Sequence, residues 1–160
     1  MHPLKVRRAT RDDVALLAEL NRFVQNVHAA HRPDLFKEQP PIDELISGFE
    51  DQLNRESVRI FIAELAEGQA VGYAMATLHQ RLAGALMHAG SFVVLEHVAV
   101  DPDVARRGIG TALLDAVREA GREAGCTRFM TEVWDFNSRA LAFFEASGFA
   151  PAWRRLDQPL

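Results

Sequence analysis

The ten residues SFVVLEHVAV at positions 91–100 limit the fold most, because they are almost continuously apolar and rich in β-branched side chains. Such a strand is expected to be covered on both faces, which requires helices on either side of its sheet. The loop DPDVARRGIG follows at once. Helical spacing then begins, with Ile109, Leu113, Ala116, Val117 and Ala120 on one face and Gly125 as a C-cap. The expected class is therefore α/β, a central mixed sheet flanked by helices.

The remainder fits that class. LKVRRAT reads as a short strand, and Thr10 with Asp13 forms a capping-box pair ahead of a helix carrying Leu17, Leu20, Val24 and Val27. That helix is expected to end near His31, and Pro40-Pro41 to introduce a second one carrying Leu45, Ile46, Phe49 and Leu53. VRIFIAEL, EGQ and AVGYAMATLH make a hairpin with Gly68 in its turn, and RLAGALMHAG is a loop. TRFMTEVW is a strand. Asn137 caps a last helix, with Phe136 and Leu141 in the staple positions and Gly148 as its stop. FAPAWRRL is expected to close the sheet, giving β-α-α-β-β-β-α-β-α-β in one domain over 1–160.

Charge and cysteine content exclude several function classes. The formal net charge of −4 argues against a dedicated nucleic-acid binder. Cys126 is the only cysteine, so neither an internal disulfide nor a cysteine-based zinc cluster is available. The N-terminal stretch lacks the apolar core of a signal peptide, and no run approaches the roughly 20 apolar residues of a membrane span. A cytoplasmic location without membrane attachment is expected.

The loop at 105–111 carries the chemical signal. Gly-x-Gly at a helix start leaves backbone N–H groups unpaired at the positive end of the helix dipole, where phosphate is the natural ligand. Gly108 and Gly110 allow close approach to the main chain, and Arg106 and Arg107 add charge at the rim. A plain tight turn with two solvated arginines is the competing explanation. Thr111-Ala112 after Gly110 rules out a P-loop, and Leu113 stands where a dinucleotide fingerprint needs Gly or Ala.

Residues 95–149, LEHVAVDPDVARRGIGTALL…TEVWDFNSRALAFFEASGF, resemble the coenzyme-binding half of the GNAT-type N-acetyltransferase superfamily. Gly108-Ile109-Gly110 match its Q/R-x-x-G-x-G/A loop, and Asn137, Ala140, Phe143, Gly148 and Phe149 match its N-x-x-A-x-x-F-Y-x-x-x-G-F motif. The resemblance implies two splayed strands with acetyl-coenzyme A, the co-substrate, lying between them. Its pyrophosphate would rest on the amides of Arg106, Arg107, Gly108, Ile109, Gly110 and Thr111. The pantetheine arm would pair with main chain at Val98, Ala99 and Val100, and the Val98 amide would polarise the thioester carbonyl. Asn137, Ala140, Phe143 and Phe144 would complete the coenzyme-binding set. Two positions depart from the pattern: Ala105 replaces the first Q/R, and Phe144 replaces the tyrosine that often protonates the departing thiolate. Tyr73, the only tyrosine, is a weak substitute acid.

The activity implied is acetyl transfer by direct attack of a primary amine, of a small molecule or a protein, with no metal and with a homodimer as the family-level expectation. A protonated amine needs a base first. Glu96 is the candidate, because it interrupts an apolar strand and alternation would put it on one face with Val98 and Val100; a structural carboxylate is the alternative. His97 reads as a satisfied core histidine, His28 and His31 as a solvated face, and Trp134, Phe136 and Cys126 as core. Arg32, Asp34 and Phe36 lie where the fold places acceptor contacts, and seven acids between Asp34 and Glu56 could draw a cationic amine. The second functional reading is a non-catalytic acyl-coenzyme A-binding regulatory module. Glu96 counts against it and Phe144 for it.

Overall fold

A computed structural model describes residues 3–160. Its elements run β1 (Lys5–Arg8), α1 (Val14–His31), α2 (Ile42–Leu53), β2 (Val58–Glu64), β3 (Ala70–Arg81), β4 (Gly90–Val100), α3 (Ile109–Glu123), β5 (Arg128–Thr131) and α4 (Ser138–Ala146). The five strands form one sheet in the order β1-β2-β3-β4-β5. All neighbours are antiparallel except β4 and β5, which are parallel and joined through α3. The expected mixed sheet with helices on its faces is the observed architecture.

Each face carries its own core. Val93, Leu95, Ile109, Leu113, Leu114, Val117 and Phe144 fill one under α3 and α4. Leu17, Leu20, Phe49, Ile62, Tyr73 and Met75 fill the other under α1 and α2. The capping box is present: Thr10 N–H donates to Asp13 Oδ2 (2.7 Å), and the box opens a short 3₁₀ turn that leads into α1. Arg7 closes the corner, donating to both Asp13 oxygens (2.9 Å each) and to Glu64 (2.7 Å). The Arg7 guanidinium holds the Asp13 carboxyl down at about 2.

Two predicted strands differ. TRFMTEVW is a strand only over Arg128–Thr131, where the Thr131 hydroxyl donates to the Leu95 carbonyl (3.2 Å) at the last pair of the ladder. FAPAWRRL forms no strand: residues 149–160 pair with no part of the sheet, and Trp153 and Leu156 are exposed. The stretch lacks the period-2 alternation of a half-buried strand, and Pro151 removes a backbone donor from it.

Candidate functional site

The centre of the site is the far half of β4, beyond the end of β5. Pairing with β5 covers only Phe92 to Leu95, so from Glu96 to Val100 that edge of β4 is free. On the other edge the register with β3 slips between Met75 and Ala76, which pair with His97 and Leu95 and leave Glu96 unpaired. Glu96 is therefore a β-bulge.

The bulge decides which way the backbone points. Before it, the Thr127 N–H donates to the Ser91 carbonyl (2.9 Å), so Ser91, Val93 and Leu95 turn toward β5. After it, the Asp101 N–H donates to the Val71 carbonyl (2.8 Å), so His97 and Ala99 turn toward β3. Val98 and Val100 therefore direct their N–H and C=O groups at the open edge, while their side chains join Val93 and Leu95 in the core under α3. Without the extra residue both valines would be reversed.

The same bulge corrects the expectation for Glu96. Alternation is broken at this residue, so it does not share a face with Val98 and Val100 in the way an uninterrupted strand would require. Glu96 is exposed. A carboxylate that reaches solvent beside the open edge can exchange protons with water.

At the loop, Arg106 and Gly108 both have left-handed backbone, with φ of 68° and 77°. They curl the chain into the start of α3, and none of the amides from Arg106 to Thr111 donates to an acceptor among the described residues. Ala112 is the first to do so, to the Gly108 carbonyl (2.9 Å). The space beside Gly108 is open, with nothing within 4 Å of where a Cβ would stand. An array of unpaired amides at a helix N-terminus, with exposed Arg106 and Arg107 at its rim, fits an anionic group such as a pyrophosphate. Ile109 is buried, so it offers this site its amide alone.

Gly110 has a different reason to be glycine. A Cβ there would lie 2.9 Å from the Phe143 ring, so this position lets α4 pack against α3. Phe143 thus supports the loop from behind. Asn137 caps α4 through Oδ1, which accepts from the Ala140 N–H (3.1 Å), as its place in the sequence suggested. Ala140 is half-buried beside the first core, and Phe144 is buried in it against Phe149. A groove of about 420 Å³ between α3 and α4 includes Thr111 and Phe143 but not Glu96 or Val98, so it is separate from the open edge of β4.

The aromatic residues read as core or solvated form a wall in which His31 is exposed, as a solvated face requires, whereas Trp134 is exposed rather than core. His28 lies against Phe36 (4.9 Å between ring centroids), His31 stacks on Phe136 (4.6 Å), and Phe136 stacks on Trp134 (5.7 Å). Trp134 is exposed, and Arg32 sits over its ring while held by Asp34 (2.8 Å). The helix α1 contributes the histidines and the loop after β5 the Trp-x-Phe pair, so the wall is long-range and left no local signal. His28 is half-buried, and burial followed by the neighbouring His31 lowers its pKa. Cys126 is half-buried rather than core, with burial raising its thiol pKa. His97 is half-buried, and the Tyr73 hydroxyl (3.0 Å) partners one of its two ring nitrogens, Nδ1. Tyr73 is fully buried and also bonded to Asn21 (2.9 Å), and burial raises its pKa, which makes it a poor proton donor to a thiolate.

Residues 24–149 match the model of the Acetyltransferase (GNAT) family. An aminoglycoside N(6')-acetyltransferase type 1 of Klebsiella aerogenes is 31% identical over 90 residues, covering 56% of this chain and 58% of the relative. The ribosomal protein bS18-alanine N-acetyltransferase of Escherichia coli K12 is 38% identical over 58 residues, 36% of this chain and 39% of that one. The chain thus spans less than two thirds of each curated relative. Among solved structures, a tetramutant of the BH1408 protein of Bacillus halodurans superposes with a TM-score of 0.91 at 23% identity, covering 98% of this chain and 99% of that one. The aminoglycoside N-acetyltransferase AAC(6')-Iy, solved in complex with CoA, does so at 0.80 and 21% identity, over 100% and 96%. At these identities the superpositions establish the shared fold.

Proposed function

Because the chain belongs to the GNAT acetyltransferase family, we propose that it transfers the acetyl group of acetyl-coenzyme A to a primary amine by direct attack. The observation that carries this reading is the pairing of two backbone arrays: unpaired amides from Arg106 to Thr111, and the Val98 and Val100 groups that the Glu96 bulge turns to the open edge. The first suits the pyrophosphate and the second the pantetheine amides, whose hydrogen bonds would extend the sheet by one strand-like arm.

Chemically, the Val98 N–H would donate to the thioester oxygen as it gains charge, a preorganised donor that costs no reorganisation during reaction. Glu96 would accept the amine proton directly or through water. Coenzyme A leaves as a thiolate whose pKa, near ~8.5 by analogy with cysteine, needs little acid assistance, so Phe144 is tolerated. The relatives' names cover an aminoglycoside and an alanine of a ribosomal protein, which supports a small-molecule or a protein amine as the acceptor.

The finer assignments belong to the same reading. We place the reaction in the cytoplasm, on a chain whose described helices include none long and apolar enough to cross a membrane. A homodimer would cover the exposed Trp153 and Leu156 and the exposed Leu82, Leu86 and Met87 of the β3–β4 loop; sedimentation equilibrium should return twice the 17.8 kDa chain mass. The test of function is release of free thiol from acetyl-coenzyme A with a panel of primary amines, in wild type and Glu96→Gln. Amine-dependent release with kcat lowered at least tenfold in the variant and coenzyme affinity kept is expected. Coenzyme binding without release from any amine would show the regulatory binding module instead.

A further inference from the structure

The second core hides a polar chain that the proposed transfer step does not use. Asn21 on α1 donates through Nδ2 to the Tyr73 hydroxyl (2.9 Å), and that hydroxyl meets His97 Nδ1 at 3.0 Å. Asn21 is buried and Tyr73 has no exposed surface. A buried hydroxyl must place its hydrogen on an acceptor. The Asn21 amide nitrogen is a donor, so the Tyr73 hydrogen goes to His97 Nδ1. A neutral imidazole that accepts at Nδ1 carries its own hydrogen at Nε2.

His97 Nε2 has no partner among the described residues. Among the described residues no buried side-chain nitrogen or oxygen lacks a partner, so Nε2 reaches solvent. The ring thus has one nitrogen locked in the core and the other opening beside the exposed Glu96, one residue before the Val98 amide. Around it stand His28 from α1, Phe49 from α2, Tyr73 from β3 and Glu96 from its own strand.

We propose that Asn21 and Tyr73 are positioning residues that lock His97 as the neutral Nε2–H tautomer, and that this N–H donates to an oxygen on the acceptor, selecting primary amines that carry a hydroxyl, ether or carbonyl oxygen nearby. Protonating Nδ1 would turn two donors against each other and strand the buried Tyr73 hydrogen, so the lock also resists the cationic form. Burial acts in the same direction and outweighs the opposing charge of Glu96. A fixed neutral donor next to a carboxylate divides the labour: Glu96 receives the ammonium and its proton, and His97 receives an oxygen. The selection deepens the acetyl-transfer reading and rests on it, whereas the lock does not.

Two measurements test it. Nitrogen-15 spectra of the His97 ring should show the Nε2–H tautomer, with a pKa below the ordinary histidine value. Tyr73→Phe keeps the ring and removes only the hydroxyl; it should mix the tautomers and move that pKa upward. An Nδ1–H tautomer in wild type, or a titration unchanged by Tyr73→Phe, overturns the lock. For selection, kcat/KM is compared for 2-methoxyethylamine and butylamine, in wild type and His97→Phe, so that the difference in amine basicity cancels. The preference for the ether should fall about tenfold in the variant, the worth of one hydrogen bond, and be largely kept in His97→Gln, which retains a donor. An equal preference in wild type and His97→Phe overturns the selection. Turnover of no amine contradicts the acetyl-transfer reading and the selection with it, and the ring spectra then decide the lock alone.

Discussion

Gly72→Ala probes the frame on which the open edge depends. Gly72 pairs with Val100, and a Cβ at this position would lie 2.6 Å from the Ala99 carbonyl oxygen, 3.3 Å from the Val100 Cα and 3.4 Å from Leu113. The obstruction is backbone, so no side-chain rotation relieves it. Real Cβ contacts essentially never fall under 3.0 Å, so β3 and β4 must part by at least 0.4 Å. Overpacking of this kind costs about 1–3 kcal/mol, which in a domain this size lowers Tm by roughly 2–12 °C. The displaced strand carries the Val98 and Val100 amides, and misplacement by a fraction of an ångström at a reacting centre should lower kcat about tenfold. Thermal unfolding and single-turnover acetyl transfer measure the two effects. Gly48→Ala is the control, because nothing lies within 4 Å of its Cβ position on α2 and helix propensity should raise stability by up to about 1 kcal/mol. If Gly72→Ala kept both the wild-type Tm and the wild-type rate, the coupling of β3 packing to the reacting edge would be refuted.

Asp13 supplies a pH-dependent part of stability. Its pKa falls from 3.8 to about 2 on folding, so its contribution, on the order of 2 kcal/mol, is present above pH ~4 and lost as pH drops through about 2. Denaturation midpoints of Asp13→Asn and wild type should therefore differ at pH 6 and converge toward pH 2. Gly110→Ala should lower stability by about 1–3 kcal/mol through the Phe143 ring at 2.9 Å, and Gly110→Ala/Phe143→Leu should recover most of it in a chemical denaturation series. Phe144→Tyr introduces a hydroxyl into a core position that is 6% exposed, and calorimetry should find it destabilised by about 1–3 kcal/mol unless that hydroxyl reaches the coenzyme cleft. A rise in kcat with no loss of Tm would show that it does.

The elements were legible because their signals are local. Thr10 and Asp13, the apolar stripe from Ile109, and Asn137 ahead of Ala140 act within a few residues of themselves, and each marks what the fold contains. The splay of β4 from β5 was legible only through the family resemblance, since it depends on where Thr131 ends its ladder. The Glu96 bulge was hidden because one extra residue in β4 is defined by its partner, β3, and strand periodicity assumes an even register. The aromatic wall and the Asn21–Tyr73–His97 chain join residues far apart in sequence, which no window along the chain reports. FAPAWRRL shows the converse: apolar and aromatic residues without period-2 alternation form no strand there.

Acetyl transfer requires that the amides of 106–111 bind acetyl-coenzyme A, and calorimetric titration tests this directly. Wild-type protein is titrated with acetyl-coenzyme A, with NADH as the control and no acceptor amine present. Saturable binding of acetyl-coenzyme A at one site per chain, displaced by coenzyme A, is expected, with no binding of NADH. Absence of heat and of competition at high coenzyme concentration would contradict acetyl-coenzyme A binding at these amides.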